Sequence, residues 1–381
     1  MTAGRRFLFL ASDYASFVSH KAPLTRVALR AGFDVVVAAN RRQSPAPDLP
    51  GVKVVDLSWR RGGSAIGAAF RMLSELSEIR ALLAAETPAV VHAIDLKPAI
   101  VASLAMPAQS RVLINSINGL GFIFTDSSRA ARWARQACAR VLKRATDRGA
   151  TIVAQNRDDA ATLAKLLDVD ASALTVIRGS GVDPAAFPVA PLPEARPFRV
   201  LLLSRLLRIK GIADAVAAVQ IVRAQGVDIE LVIAGAPDPG NPSSISPQQL
   251  DEWSRIPGVQ LLGHVAEVRS AIAGCHVVMQ PSLGGEGLPR SLLEAASSGR
   301  ALIATDVPGN RDIAVDGVTG WLAPPGRPDM LAHVLAAAVG DLDACRQRGL
   351  AARALMEREF SLERIEQAHS ALYRSVSTLD S

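Results

Sequence analysis

Apolar residues in this chain come in short, nearly unbroken runs, separated by longer stretches in which they recur every three or four positions. Runs this short read as strands buried on both faces, and the periodic stretches between them read as amphipathic helices. In the N-terminal half the candidate strands are Phe7–Ala11, Asp34–Ala39, Val52–Val55, Ala89–His92, Arg111–Asn115, Thr151–Ala154 and Thr175–Ile177. In the C-terminal half they are Arg199–Leu203, Ile229–Ala234, Val259–Leu262, His276–Gln280 and Ala301–Thr305. Strand and helix alternating in this way call for parallel sheets with helices on both faces, a doubly wound α/β architecture. The Pro-rich, polar stretch Val189–Phe198 has no period and marks a domain boundary. The pattern therefore predicts one domain over 1–190, a second over 198–360 and a terminal segment, 361–381, with a last helix at about Leu362–Ser375.

At 381 residues with 49% hydrophobic content, the chain can fill two cores. Its net charge of +6 favours anionic partners such as nucleotides and lipid phosphates. Aromatics at 4% argue against a stacking surface for single-stranded nucleic acid, so no nucleic-acid partner is expected. Cys138, Cys275 and Cys345 are odd in number and in no metal spacing, which predicts free buried thiols in a reducing compartment. The apolar start, Phe7–Ala11, is far too short to cross a membrane and lacks a cleavage pattern, so it reads as the first buried strand of a soluble protein. One stretch stands apart in charge. Arg129, Arg132, Arg135, Arg140, Lys143, Arg144 and Arg148 crowd a single predicted helix against the lone acid Asp147, with Trp133, Val141 and Leu142 beside them. Such a segment is either a solvated face or a docking face for an anionic membrane.

Parallel sheets bind ligands beyond the carboxyl ends of their strands, which directs attention to Ser12–Tyr14, His92–Lys97 and Asn118–Phe124 in the first domain. In the second, Gln280–Gly299 is the most informative stretch. An apolar strand ends at Pro281-Ser282, the glycines Gly284, Gly285 and Gly287 form a loop, and Arg290–Ser298 reads as a helix ended by Gly299. Loop glycines let a ligand approach the backbone, and the first amides of the helix are unpaired, so this is an anion site. Glu286 and Glu294 stand eight residues apart, placed to hold hydroxyls on either side of bound phosphates, the layout of a nucleotide sugar. Ser204-Arg205 leaves one strand and Lys210-Gly211 opens the next helix; two converging cations can neutralise a diphosphate. The bland alternative is a plain strand-loop-helix unit with solvated glutamates and surface cations.

The pattern E-x7-E, with Pro281-Ser282 and EGLP before it and LEA around its second glutamate, resembles the donor-site signature of family 4 glycosyltransferases. That resemblance implies the GT-B fold, two Rossmann-like doubly wound domains facing a central cleft, with the last helix crossing back to the first domain and transfer with retention. It casts Arg205 and Lys210 as the diphosphate pair that makes a metal or other cofactor unnecessary. Glu286, with the amides of Gly287 and Leu288, would orient the sugar; Glu294 would bind the ribose. Ser204 and the Gly263-His264-Val265 turn would complete the donor site. The loops HAIDLKP and INGLGFIFTD further resemble a subgroup that builds capsular or O-antigen polysaccharide on lipid carriers. Lys97-Pro98 and Gly119-Leu120-Gly121-Phe122 match that subgroup, whereas Asp95 and Asn118 do not give its usual histidines. Asn118 would then stand near the transferred sugar, the donor's own phosphate oxygen taking the proton, with His20, Lys97 and Gly119 on the acceptor side. His20-Lys21 reads as a helix start. The implied partners are a UDP-sugar, a polyprenyl-diphosphate glycan and an anionic membrane, with the protein cytoplasmic and peripheral on the inner face of the plasma membrane. Two other readings remain at this point, a GT-B nucleotide-sugar epimerase and a non-catalytic nucleotide-sugar-binding protein.

Overall fold

Side chains alternate faces along a strand, so an unbroken apolar run such as β1 (Arg6–Asp13) presents apolar groups to both sides. Phe7 and Phe9 pack on one face with Tyr14 and Phe17, and Leu8 and Leu10 pack on the other with Ile79, Leu83 and Val101. A strand buried on both faces is satisfied only in the middle layer of a helix-sheet-helix sandwich. The computed structural model describes residues 5–41, 46–59, 65–106, 112–120, 128–194, 196–238, 241 and 243–377. Arg111, Gly121, Phe122 and Phe124, named above, lie outside that set.

The chain divides into two compact units, Met1–Ser180 with Arg364–Ser381, and Gly181–Glu363. In the first, β2 (Asp34–Asn40), β3 (Val52–Asp56), β4 (Val90–Ile94), β5 (Val112–Ile117), β6 (Thr151–Ala154) and β7 (Thr175–Val176) join β1 in the order β3-β2-β1-β4-β5-β6-β7, every pair parallel. The second holds β8 (Phe198–Leu203), β9 (Ile229–Ala234), β10 (Val259–Gly263), β11 (Val277–Gln280), β12 (Ala301–Thr305) and β13 (Gly320–Ala323), ordered β10-β9-β8-β11-β12-β13 and again all parallel. In each sheet the strand order reverses direction at one place, between β1 and β4 and between β8 and β11. Those two switch points are where crossovers diverge and leave a crevice.

Three features differ from the sequence reading. β13 was not expected; its run is four residues long and opens with a glycine, too weak a signal to stand out. A Cβ at Gly320 would lie 1.9 Å from the Leu302 carbonyl oxygen, so this edge strand can pair only because that side chain is missing. The first helix does not open at His20-Lys21 but at Tyr14, running to Arg30, because the Asp13 carboxylate accepts from the Ser16 amide at 2.7 Å and caps it. Lastly, the division falls at Gly181, ahead of the Pro-rich stretch, which is tied to the second unit. Arg300 is fully buried there, its guanidinium donating to the carbonyls of Ala190 (2.6 Å), Pro191 (2.8 Å), Ala273 (3.0 Å) and Ile272 (3.1 Å). The last helix, Leu362–Ser377, contributes Ile365, Leu372, Tyr373 and Val376 to the core around Phe7 and Phe9, and its Glu366 pairs with Arg26 and Arg30.

Candidate functional site

The crevice between β8 and β11 is built from close backbone approaches. Gly211, at φ +68°, begins the helix Ile212–Ala224, and a Cβ there would lie 1.8 Å from the Pro281 carbonyl oxygen just beyond β11. Gly309 is pressed in the same way on the Gly287 carbonyl, with 1.4 Å left for a Cβ. Glycine at both positions draws the loop 281–289 against the strand ends on either side. Pro289 caps the helix Arg290–Ser297 with no side-chain bond, and its carbonyl accepts from the Leu292 and Leu293 amides at 3.2 and 3.3 Å.

Glu286 lies buried in this loop. Its Oε1 receives Lys210 Nζ at 2.6 Å, Gln280 Nε2 at 3.3 Å and the Ser282 hydroxyl. Burial alone would push the carboxyl up, but the Lys210 charge and the three donors outweigh it and hold Glu286 below the usual carboxylate range. It is a fixed anion. Behind it, Ser291 Oγ donates to Gln280 Oε1 at 3.2 Å, and the Asn310 amide reaches the Gln280 carbonyl at 3.1 Å. The Thr305 hydroxyl donates to the Ser282 carbonyl. These polar groups sit at or just beyond the ends of β11 and β12; the sequence reading took Gln280–Gly299 as the informative stretch but did not single out the side chains of Gln280, Ser282, Thr305 and Asn310.

Arg205 and Lys210 do not meet on one partner. Lys210 belongs to a 3-10 turn, Arg208–Lys210, one residue ahead of Gly211, while Arg205 donates to Asp238 Oδ2 at 2.8 Å and is 59% exposed. Asp238 lies beyond β9 and had no sequence signal. Ser204 leaves β8 with its amide on the Ala234 carbonyl at 3.1 Å. Glu294 is in the second turn of its helix, buried, and accepts from Arg290 Nε at 2.7 Å. Burial pushes this carboxyl up, against the Arg290 hydrogen bond and charge. Leu288 is buried, Gly263 ends β10 at φ +68°, His264 is exposed and Val265 half-buried.

In the first unit, Asn118 leaves β5 and is held at both ends of its amide. Gln155 Nε2 donates to Asn118 Oδ1 at 2.8 Å, and Asn118 Nδ2 donates to Asp95 Oδ1 at 2.8 Å. Gly119 follows at φ +104°, a conformation that favours glycine. His20 is exposed in the second turn of its helix, Nδ1 facing the Ser16 carbonyl at 3.0 Å. Lys97 pairs with Glu75 at 2.6 Å and lies 5.1 Å over the Trp59 ring, a structural pairing that sequence could not foresee.

Two D-x-D triplets exist, Asp168-Val169-Asp170 and Asp341-Leu342-Asp343, and helix ends account for them. Asp168 is the left-handed C-cap of Arg157–Leu167, and Asp170 caps the turn Ala171–Ala173. Asp341 caps Leu342–Glu359, and Asp343 pairs with Arg346. On the basic helix Arg129–Thr146, Arg129, Arg132, Arg140 and Arg144 are exposed. Leu142 is buried and Val141 packs against the core, so the face expected from sequence narrows to those cations and Trp133, which is 72% exposed. A surface depression of about 290 Å³ lies over Arg129, Arg132, Trp133 and Gln136, all from this one helix, and encloses nothing. Among the described residues, no helix is long and apolar enough to cross a membrane.

Family models match both units, "Glycosyl transferase 4-like domain" over residues 24–179 and "Glycosyl transferases group 1" over 197–341. Among curated proteins, the chain is 29% identical over 191 residues to the amylovoran biosynthesis glycosyltransferase AmsK of Erwinia amylovora, covering 48% of this chain and 46% of that one. It is 34% identical over 182 residues to the phosphatidyl-myo-inositol mannosyltransferase of Mycolicibacterium smegmatis, covering 46% and 45%. Both matches thus span about half the length of the relative. Among solved structures, sucrose-phosphate synthase from Thermosynechococcus elongatus superposes with a TM-score of 0.82 at 18% identity, covering 98% of this chain and 100% of that one. The Anabaena protein HepE, in complex with UDP and glucose, gives 0.74 at 18% identity over 97% and 100%. At such identities the superpositions speak for the fold, and the family models, which together take in most of the sequence, speak for descent: the chain belongs to the family 4 glycosyltransferases of GT-B fold.

Proposed function

We propose that this protein transfers a sugar, with retention and without a metal, from a UDP-sugar to a polyprenyl-diphosphate-linked glycan at an anionic membrane surface. The observation that carries the reading is the part-buried Lys210–Glu286 pair at the β8/β11 switch point, beside the opening of the helix Arg290–Ser297. A fixed carboxylate beside a cation at the opening of a helix suits a ligand that is part sugar and part phosphate. Lys210 and Arg205 receive the diphosphate, Glu286 with the backbone at Gly287 and Leu288 holds the sugar, and Glu294 holds the ribose. The acceptor hydroxyl oxygen bonds to the anomeric carbon as the bond from that carbon to the phosphate oxygen breaks. The hydroxyl proton passes to that phosphate oxygen. Donor charge builds on the phosphates in this step, where fixed cations and amides act most strongly. The UDP bound in the HepE structure supports the donor class.

A thermal-shift screen of UDP-, GDP- and ADP-sugars in EDTA tests this, since a bound ligand raises the melting temperature by mass action. Shifts confined to UDP compounds, with turnover on lipid-linked acceptors in the same chelator, are expected. Turnover that returns only with manganese or magnesium would sink the metal-free reading. UDP-sugar consumption with no acceptor would point to an epimerase instead.

A further inference from the structure

The other switch point, between β1 and β4, carries a constellation that donor binding does not use. Asp95 follows the last residue of β4 at φ 78°, ψ 164°, a region that only glycine enters without strain. Its backbone amide is tied to the Ser116 carbonyl at 2.8 Å. Although Asp95 precedes the helix Leu96–Ala105, its side chain makes no capping bond to that helix. The carboxylate is exposed and turned toward Asn118 instead. A carboxylate only accepts, so Asn118 presents its NH2 to Asp95 and its carbonyl to Gln155, and the polarity of the relay from Gln155 through Asn118 to Asp95 is settled.

Lys21, on the helix that follows β1, supplies the second observation. It is 5% exposed, and among the described residues its ammonium has no hydrogen-bonding partner. Burial pushes its pKa down to about 8, and Asp95 is the charge acting the other way. A chain selected only for stability would place glycine at 95 and an apolar residue at 21. Here a strained, oriented carboxylate and a buried cation are kept together at the crevice where a doubly wound sheet binds its ligand.

We propose that Asp95, oriented by Asn118 and Gln155 and backed by Lys21, binds hydroxyl groups of the acceptor sugar on the first unit. This rests on the glycosyltransferase reading and names the chemistry of its acceptor end. A carboxylate offers about four lone-pair positions, so sugar hydroxyls can donate to it alongside the Asn118 amide. It repels anionic groups, so the part of the acceptor held here is a neutral sugar, and phosphates or carboxylates lie elsewhere. Asn118, whose amide is engaged at both ends, acts as a positioning residue in place of the direct role assigned from the family histidine.

Saturation-transfer NMR with the methyl glycosides of glucose, galactose, mannose and N-acetylglucosamine, and with methyl glucuronide as the anionic control, tests the assignment on the full chain. The wild type should bind at least one neutral glycoside and not the glucuronide. Asp95→Asn and Asp95→Gly should each weaken that glycoside by about tenfold or more, with UDP affinity by calorimetry unchanged. Asp95→Gly also relieves the backbone, so its melting temperature should hold or rise; a residue kept for backbone shape alone would keep glycoside binding in that variant. Lys21→Met should weaken the glycoside and leave UDP binding intact. Retained glycoside binding in Asp95→Gly, equal binding of the glucuronide, or no neutral glycoside bound by the wild type would each overturn the proposal. Should UDP fail to bind the wild type, the donor reading fails by itself, and the glycoside arm still decides this site.

Discussion

Glu286 and Glu294 share a loop and helix but meet different surroundings, and the difference sets what each contributes. Glu286 shares Lys210 with whatever anion enters the site, because its carboxylate already holds that ammonium at 2.6 Å. Removing the charge in Glu286→Gln leaves Lys210 free for the diphosphate, so UDP should bind at least as tightly as to the wild type. The turnover number kcat should nevertheless fall, because in the proposed role the carboxylate holds the sugar most strongly as it becomes cationic. Glu294 accepts from Arg290 instead, and in the function proposed above it holds the ribose. Hydrogen bonds to a charged group are worth about 1.5 to 3 kcal/mol, so Glu294→Gln should weaken UDP by about tenfold to a hundredfold. Calorimetry with UDP on both variants checks the assignment, and weakening of equal size in the two would show that the donor lies otherwise along this stretch.

At the scale of elements, most strands were legible because each is a short, mainly apolar run with at most one or two charged residues, and most are followed by a polar residue or a glycine. β9 and β12 match their predicted limits. What sequence could not show is which strand ends are neighbours, and so the cradle of Gln280, Ser282, Thr305 and Asn310 and the pairing of Arg205 with Asp238 stayed hidden. The start of the first helix was hidden for another reason: Asp13 is both the last residue of β1 and the cap of the helix, leaving no loop between them. The last helix brings a buried titratable face to the first sheet. His369 Nδ1 donates to the Ile365 carbonyl at 2.9 Å, and burial, with the nearby Lys21 charge, pushes its pKa down to about 3. His92, bonded to Tyr373 and Ser116, is pushed down by burial, His369 and Lys21. Between pH 6.5 and 3 the unfolded chain takes up protons that the folded chain refuses, so stability is full above about 6.5 and is lost as pH falls. From pH 7.5 to 5, His369 alone should account for about 2 kcal/mol of lost unfolding free energy. Urea titrations at the two pH values should show this loss shrinking in His369→Gln, and an unchanged pH dependence in that variant would remove His369 as its source.

For the molecule as a whole, the net charge of +6 matters less than where its cations stand. Across most of the surface, basic side chains are met by acids, as in Arg199–Glu230, Arg327–Asp329 and Arg353–Glu357. The helix Arg129–Thr146 differs, with the ion pair Lys143–Asp147 at 3.3 Å beside exposed Arg129, Arg132, Arg140 and Arg144. Its apolar contribution to the open face is the Trp133 indole, since Leu142 and Ala145 face the core. A face of this kind holds a membrane by charge first, each cation near an anionic surface adding about 1 kcal/mol, with one ring at the headgroup level as a minor addition. Flotation with liposomes should therefore require anionic lipid and weaken as salt rises, because exposed charges are screened beyond about 10 Å at 0.1 M salt. Reversing two charges, in Arg132→Glu with Arg140→Glu, should abolish flotation, and Trp133→Ala should reduce it less. Both variants should keep the wild-type response to UDP in the thermal-shift assay, since that helix lies in the first unit and the donor residues in the second. Equal flotation with neutral and anionic liposomes, or none with either, would mean that this helix is a solvated face and that the acceptor reaches the enzyme by another route.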